Sequence, residues 1–87
     1  MEIYQLRYFA YAAKYENITM AAQELNVSQR SISKAIQSLE RELKTELLRK
    51  NGRSCVLTHD GYLLQERVVP LLEEIERLPL DVRNRQK

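Results

Sequence analysis

Apolar residues recur at helical spacing through most of this chain, and the pattern changes in only one stretch. In "EIYQLRYFAYAAKYEN", Ile3, Leu6, Phe9, Ala10 and Ala13 form one stripe, which predicts an amphipathic helix. Tyr4, Tyr8, Tyr11 and Tyr15 fall on its other sides. Such a cluster could stack on bases, but tyrosines beside a core stripe more often seal its rim, and that reading is adopted. In "NITMAAQELNVS", Ala21, Ala22 and Leu25 make a short apolar face, with Thr19 read as the N-cap of a helix of about two turns. Asn26 suits a left-handed C-terminal turn, and Ser28 caps whatever follows. Two helices joined so tightly must cross steeply, which is helix-turn-helix geometry.

The next segment, "NVSQRSISKAIQSLERELK", separates its residue types more sharply. At 100° per residue, Ile36, Leu39 and Leu43 lie within about 40° of Ile32, while Arg30, Lys34, Gln37 and Arg41 lie about 140° to 200° from it. Gln29 and Ser33 flank that polar side, and Glu40 and Glu42 lie about 80° to either side of the apolar stripe. Arg, Lys and Gln are the side chains that grip phosphates or read base edges. A merely solvated helix remains the alternative for this segment taken alone.

The helical period stops at "TELLRKNGRSCVLT". Asn51-Gly52 predicts a two-residue hairpin turn, with Leu47 and Leu48 before it and Val56 and Leu57 after it. Lys50 and Arg53 bracket the turn and would project at its tip. Thr58 is a further N-cap, and Leu64, Val68, Leu71, Ile75 and Leu78 then step as a heptad seam, widened by Leu63 and Leu72. That seam is too long for a three-helix head to bury, so a partner helix is expected over Leu64, Val68, Leu71, Leu72, Ile75 and Leu78; packing back onto the head is the alternative. Pro70 should remove one backbone bond and bend the helix, and the helix is expected to end near Pro79. The expected fold is mainly α: a winged helix-turn-helix of three helices plus a two-stranded wing over residues 1–58, a long linker dimerisation helix over 59–79, and a tail over 80–87.

Composition narrows the chemistry. A chain of 87 residues is one small domain, near the lower size at which a core is self-sufficient. Its apolar runs are far short of a membrane span, and "MEIYQLRYFA" lacks the basic and apolar regions of a signal peptide, so a cytoplasmic protein is expected with no membrane partner. One cysteine, Cys55, and one histidine, His59, provide neither an internal disulfide nor a zinc site. No cofactor, metal or catalytic activity is expected: there is no activated nucleophile pair and no phosphate-cradling glycine loop, and His59-Asp60 reads as an exposed first-turn pair. Cys55 could sense oxidants only if its pKa were depressed. The net charge of +2 is unevenly placed, since residues 28–58 hold seven basic side chains against three acidic ones while both flanking thirds are slightly acidic. A basic middle third is the usual footprint of nucleic-acid binding.

Taken together, "LRYF" at Leu6 to Phe9, "IT-x-AA-x-x-L" from Ile18, "VSQ-x-x-IS" from Val27, "I-x-x-LE-x-EL" from Ile36 and "T-x-x-G" from Thr58 resemble the N-terminal DNA-binding domain of LysR-type transcriptional regulators. The resemblance covers nearly the whole chain. It implies a homodimer joined through the linker helix, binding interrupted inverted repeats in double-stranded promoter DNA. By position it assigns Ser28, Gln29, Ser31, Ser33, Lys34 and Gln37 to the major groove, joined by Arg30, and Lys50 and Arg53 to the wing at the flanking backbone or minor groove. Thr19 falls where a phosphate can approach. Recognition helix and wing are thus expected over residues 28–43 and 47–57.

The sequence departs from the family pattern in three ways. Arg30 stands where proline is usual, adding a cation near the groove, and Leu48 replaces a common phenylalanine before the wing. The large effector-binding domain has no counterpart, so a small-molecule inducer is expected only if these residues are part of a longer protein, which is the favoured reading. The rival is a protein-interaction module with the same head. It would need no cationic face at Gln29, Arg30 and Lys34.

Overall fold

The computed structural model describes residues 1–84. Its elements run α1 (Ile3–Tyr15), α2 (Ile18–Leu25), α3 (Gln29–Leu43), β1 (Leu48–Asn51), β2 (Ser54–Leu57) and α4 (His59–Arg83), a winged helix-turn-helix with a long following helix. Phe9 of α1, Ile32 and Leu39 of α3, Leu47 and Cys55 are completely enclosed, so the core lies where the three head helices and the wing converge. Ala12, Ala13, Ala21 and Ala22 are buried too, and their small side chains let α1 and α2 approach closely. Tyr8, Tyr11 and Tyr15 pack along the edge of this core. The Tyr15 hydroxyl donates to Glu24 (3.1 Å), joining α1 to α2; that bond holds the phenol proton and raises its pKa above the ordinary value.

The turn chemistry follows the sequence at three of the helix ends. Asn26 takes the left-handed conformation (φ 59°) at the end of α2. Ser28 Oγ accepts from Ser31 N at the start of α3, and Thr58 Oγ1 accepts from Gly61 N at the start of α4. Thr19, however, is not the cap of α2. Asn17 caps it, its Oδ1 accepting from Met20 N (2.9 Å), while Ile18 N is turned toward the Arg53 carbonyl (3.0 Å); the helix starts two residues earlier than a Thr19 cap would place it.

The hairpin also differs from expectation. Asn51 pairs with Ser54, so the two-residue loop is Gly52-Arg53 and not Asn51-Gly52. Gly52 supplies the positive φ (65°) required at the first position of a tight hairpin loop. The backbone bonds Ile18 N to Arg53 O (3.0 Å) and Cys55 N to Glu16 O (3.1 Å) dock the hairpin loop and β2 against the α1–α2 turn.

α4 passes through both Pro70 and Pro79 and reaches Arg83, so the expected end near Pro79 is corrected, and Leu80 to Arg83 of the expected tail are helical. Each proline removes one backbone donor, but the bonds of the next turn resume, and Asn84 N closes the end on Leu80 O (3.0 Å). Residues 85–87 of that tail lie outside the described residues. Part of the heptad seam folds back onto the head: Val68 and Leu72 are buried with Ala10, and Leu6 and Leu64 pack against them. The expectation that a partner helix covers these three seam residues is corrected accordingly. Gln65 Nε2 reinforces the contact by donating to Ala10 O (3.2 Å).

The backbone around Leu47 joins these layers. Leu47 N donates to the Glu40 carboxylate of α3 (2.8 Å), and Leu48 N reaches the same oxygen (3.3 Å). The Leu47 carbonyl accepts from Thr58 N (3.0 Å). Gly61 faces that carbonyl so closely that a Cβ there would stand 2.1 Å from the oxygen, which explains the glycine in "T-x-x-G".

Candidate nucleic-acid interface

α3 buries Ile32, Ala35, Ile36 and Leu39 and turns its other side to solvent. Leu43, the last residue of the predicted stripe, is partly exposed at the helix end. On the outer side Gln29, Arg30, Lys34, Gln37 and Arg41 are all exposed, as the helical wheel predicts. Among the described residues none of the five makes a side-chain hydrogen bond or ion pair, so their donors are free for an external ligand. Ser28 and Ser31 share a hydroxyl contact (2.9 Å) at the helix start. The first turn of α3 contains no acidic residue, leaving its free N–H groups and Arg30 as one positive pole.

The three acids of this region are turned to internal use. Glu40 binds the backbone entering β1, Glu42 pairs with the chain's amino terminus (3.0 Å), and Glu46 pairs with Arg49 (3.2 Å). The exposed cations Arg30, Lys34, Arg41, Lys44, Lys50 and Arg53 are left without an acidic partner among the described residues.

In the wing, Arg53 occupies the loop with its side chain exposed. Lys50 behaves differently from the projecting tip cation expected of it: its Nζ donates to Ser33 Oγ of α3 (2.8 Å). Thr19 is the one proposed contact residue whose placement opposes its assignment. Its hydroxyl oxygen is buried and without a hydrogen-bond partner, because α2 begins at Ile18 and turns this side chain inward. Cys55 is buried with its Sγ donating to Ala12 O (3.6 Å), and burial pushes the thiol pKa up, with Glu16 adding and Lys50 opposing. A raised pKa is the reverse of what an oxidant-sensing thiol needs.

Sequence reasoning missed the role of Glu40, which it treated only as a charge beside the polar face. Its signal was faint: an acid seven residues before Leu47, on a helix whose one other acid, Glu42, is exposed. The contact between Lys50 and Ser33 carried no sequence signal at all, since 17 residues separate them.

Among the described residues no helix is long and apolar enough to cross a membrane. The pattern of the bacterial regulatory helix-turn-helix proteins of the lysR family matches residues 3–62. A probable cat1 operon transcriptional activator of Acinetobacter lwoffii is 38% identical over 78 residues, 90% of this chain and 26% of that protein. The HTH-type transcriptional regulator BudR of Raoultella terrigena is 48% identical over 61 residues, 70% of this chain and 21% of that protein. The chain thus spans about a quarter of the length of these curated relatives. The crystal structure of the CbnR DNA-binding domain with DNA superposes with a TM-score of 0.88 at 34% identity, covering 100% of both chains. The BenM DNA-binding domain on the catB site 1 DNA gives 0.88 at 30% identity, over 95% of this chain and 92% of that one. Fold, exposed α3 face and matched residues agree, and the chain belongs to the lysR family of bacterial regulatory helix-turn-helix proteins.

Proposed function

We propose that this chain is the DNA-binding module of a transcriptional regulator that works as a dimer on double-stranded promoter DNA, α3 lying in the major groove and the wing at the flanking backbone or minor groove. One observation carries the reading: α3 presents Gln29, Arg30, Lys34 and Gln37, exposed and unpartnered among the described residues, on the side opposite a closed apolar core. Gln29 and Lys34 are assigned to base edges, where glutamine can pair bidentately with adenine and lysine can approach guanine. Arg30 adds a cation in the same turn; Ser28, Ser31, Ser33, Lys50 and Arg53 position the duplex through its backbone.

Dimerisation is assigned to the far half of α4. A groove of about 310 Å³ runs between α1 and α4, lined by Ile3, Leu6, Leu71, Ile75 and Leu78 among others. Leu71 and Leu78 are more than half exposed on it. A second copy of α4 would cover this seam and link two heads over an interrupted inverted repeat. The work is binding and not catalysis, in the bacterial cytoplasm where the DNA is. A small-molecule inducer belongs to whatever further length the regulator has beyond this quarter.

The test is a binding titration on duplexes that the chain itself selects from a random-sequence library, with shuffled duplexes of equal composition as controls. Affinity should fall steeply with salt, by about 0.9 in the log–log slope per phosphate contacted, and the selected duplex should be preferred throughout. Equal binding to both duplexes, or none, would overturn the reading.

A further inference from the structure

We infer that Lys50 and Ser33 act together as a composite clamp on a single DNA backbone phosphate, the lysine both donating to it and orienting the serine hydroxyl; this rests on the DNA-binding reading above. Lys50 lies in β1, cross-strand from Cys55, and reaches across to α3, where its Nζ donates to Ser33 Oγ at 2.8 Å. Ser33 is half-buried at the flank of the polar face, while Lys50 is exposed.

The consequence lies in what that bond does to a hydroxyl. A free serine hydroxyl is donor or acceptor as its neighbour requires. Once an ammonium donates to its oxygen, its own hydrogen is turned away from the lysine, and donation by a charged group strengthens the O–H as a donor. Lys50 keeps two further N–H donors. Lys50 therefore presents donors only, and the serine hydroxyl, with one lone pair taken and its hydrogen turned outward, donates beside it at the junction between wing and recognition helix. The matching ligand offers several acceptor oxygens and negative charge, as a phosphate does; a guanine edge also offers two acceptors, N7 and O6, but no charge, and the selected-versus-shuffled comparison below separates the two. Because one partner sits on the wing and the other on α3, a phosphate held there fixes both elements on the duplex at once.

The chain, its Lys50→Met, Ser33→Ala and double variants, and Lys50→Arg would be titrated on the self-selected duplex and on its shuffled control, with thermal melts of each protein. The clamp predicts that each single variant weakens both duplexes alike, by about fivefold, and that the double variant is little weaker than Lys50→Met alone. Lys50→Met should also lower the salt slope by about 0.9, Lys50→Arg should keep most of the affinity, and the melts should agree. Independent, multiplying losses would overturn the clamp. So would a Ser33→Ala loss confined to the selected duplex, which would make Ser33 a base reader. Either result leaves wild-type DNA binding intact, whereas failure of the wild type on every duplex removes the functional reading itself.

Discussion

α3 and α4 are both amphipathic, yet they finish differently. The apolar stripe of α3 is closed inside its own head at Ile32, Ile36 and Leu39, so what remains outside is polar and cationic. α4 closes only the near part of its stripe, at Val68 and Leu72, and leaves Leu71 and Leu78 in solvent. A helix whose apolar side is satisfied addresses a polar ligand; one whose apolar side is left open addresses another protein. Under the proposed function the same period thus marks two kinds of interface, told apart by what the rest of the chain covers.

The largest effect that would break this contrast concerns α3. Replacing Gln29, Arg30 and Lys34 together by alanine should weaken binding to a selected duplex by at least about 100-fold, since each good base or phosphate contact contributes roughly 1–3 kcal/mol. The melting temperature should stay nearly fixed, because none of the three touches the core; a large drop in melting temperature would show that the face is structural. On α4, Leu71→Asp should halve the mass seen by light scattering and reduce DNA affinity by about 100-fold through lost bivalency, with the head still folded. Leu72→Asp, one residue along, should instead damage the fold, as its side chain is buried against α1. An unchanged mass for Leu71→Asp would remove α4 as the dimer helix.

A smaller effect sharpens the contrast at the near end of α4. Gly61→Ala puts a Cβ against the Leu47 carbonyl and should cost about 2 kcal/mol or more, lowering the melting midpoint by about 8 °C or more in a domain of this size. The smallest concerns Cys55. Its pKa is raised in the folded state above the ordinary 9.0, so its contribution to stability is complete below that value and is lost as pH rises above it, where the unfolded chain ionises first. Urea titrations should find the alkaline decline shallower in Cys55→Ala than in the wild type; parallel declines would mean that the thiol is not sheltered.

What could be read from the sequence were the features with local causes. Ser28, Asn26 and Thr58 follow from cap and turn chemistry that acts over three or four residues, and the outer face of α3 follows from a single period. The errors lie where a distant contact decided the outcome. Asn51-Gly52 is a good turn pair, but the turn falls on Gly52-Arg53, where the Arg53 carbonyl also accepts from Ile18 N at the distant start of α2. Thr19 is a good cap residue, but Asn17 came first in the chain and took the position. Val68 and Leu72 fit a partner seam until α1 was seen to cover them. At the candidate interface, the exposed long side chains were legible one by one, whereas the Lys50–Ser33 bond depends on the wing folding back over α3.

The Leu47 peptide has a mechanical consequence. Its N–H is fixed by the recognition helix through Glu40 and its carbonyl by the first turn of α4 through Thr58, with no side chain at Gly61 to hold the two apart. A 25-residue rod about 37 Å long is therefore mounted on the head with almost no free play at its base. A small rotation applied at the rod's far end arrives at α3 as torque instead of being absorbed in a loose joint. In the proposed dimer, the pitch at which each head meets the duplex would thus be set by how the rods are held, a length of chain away from the bases.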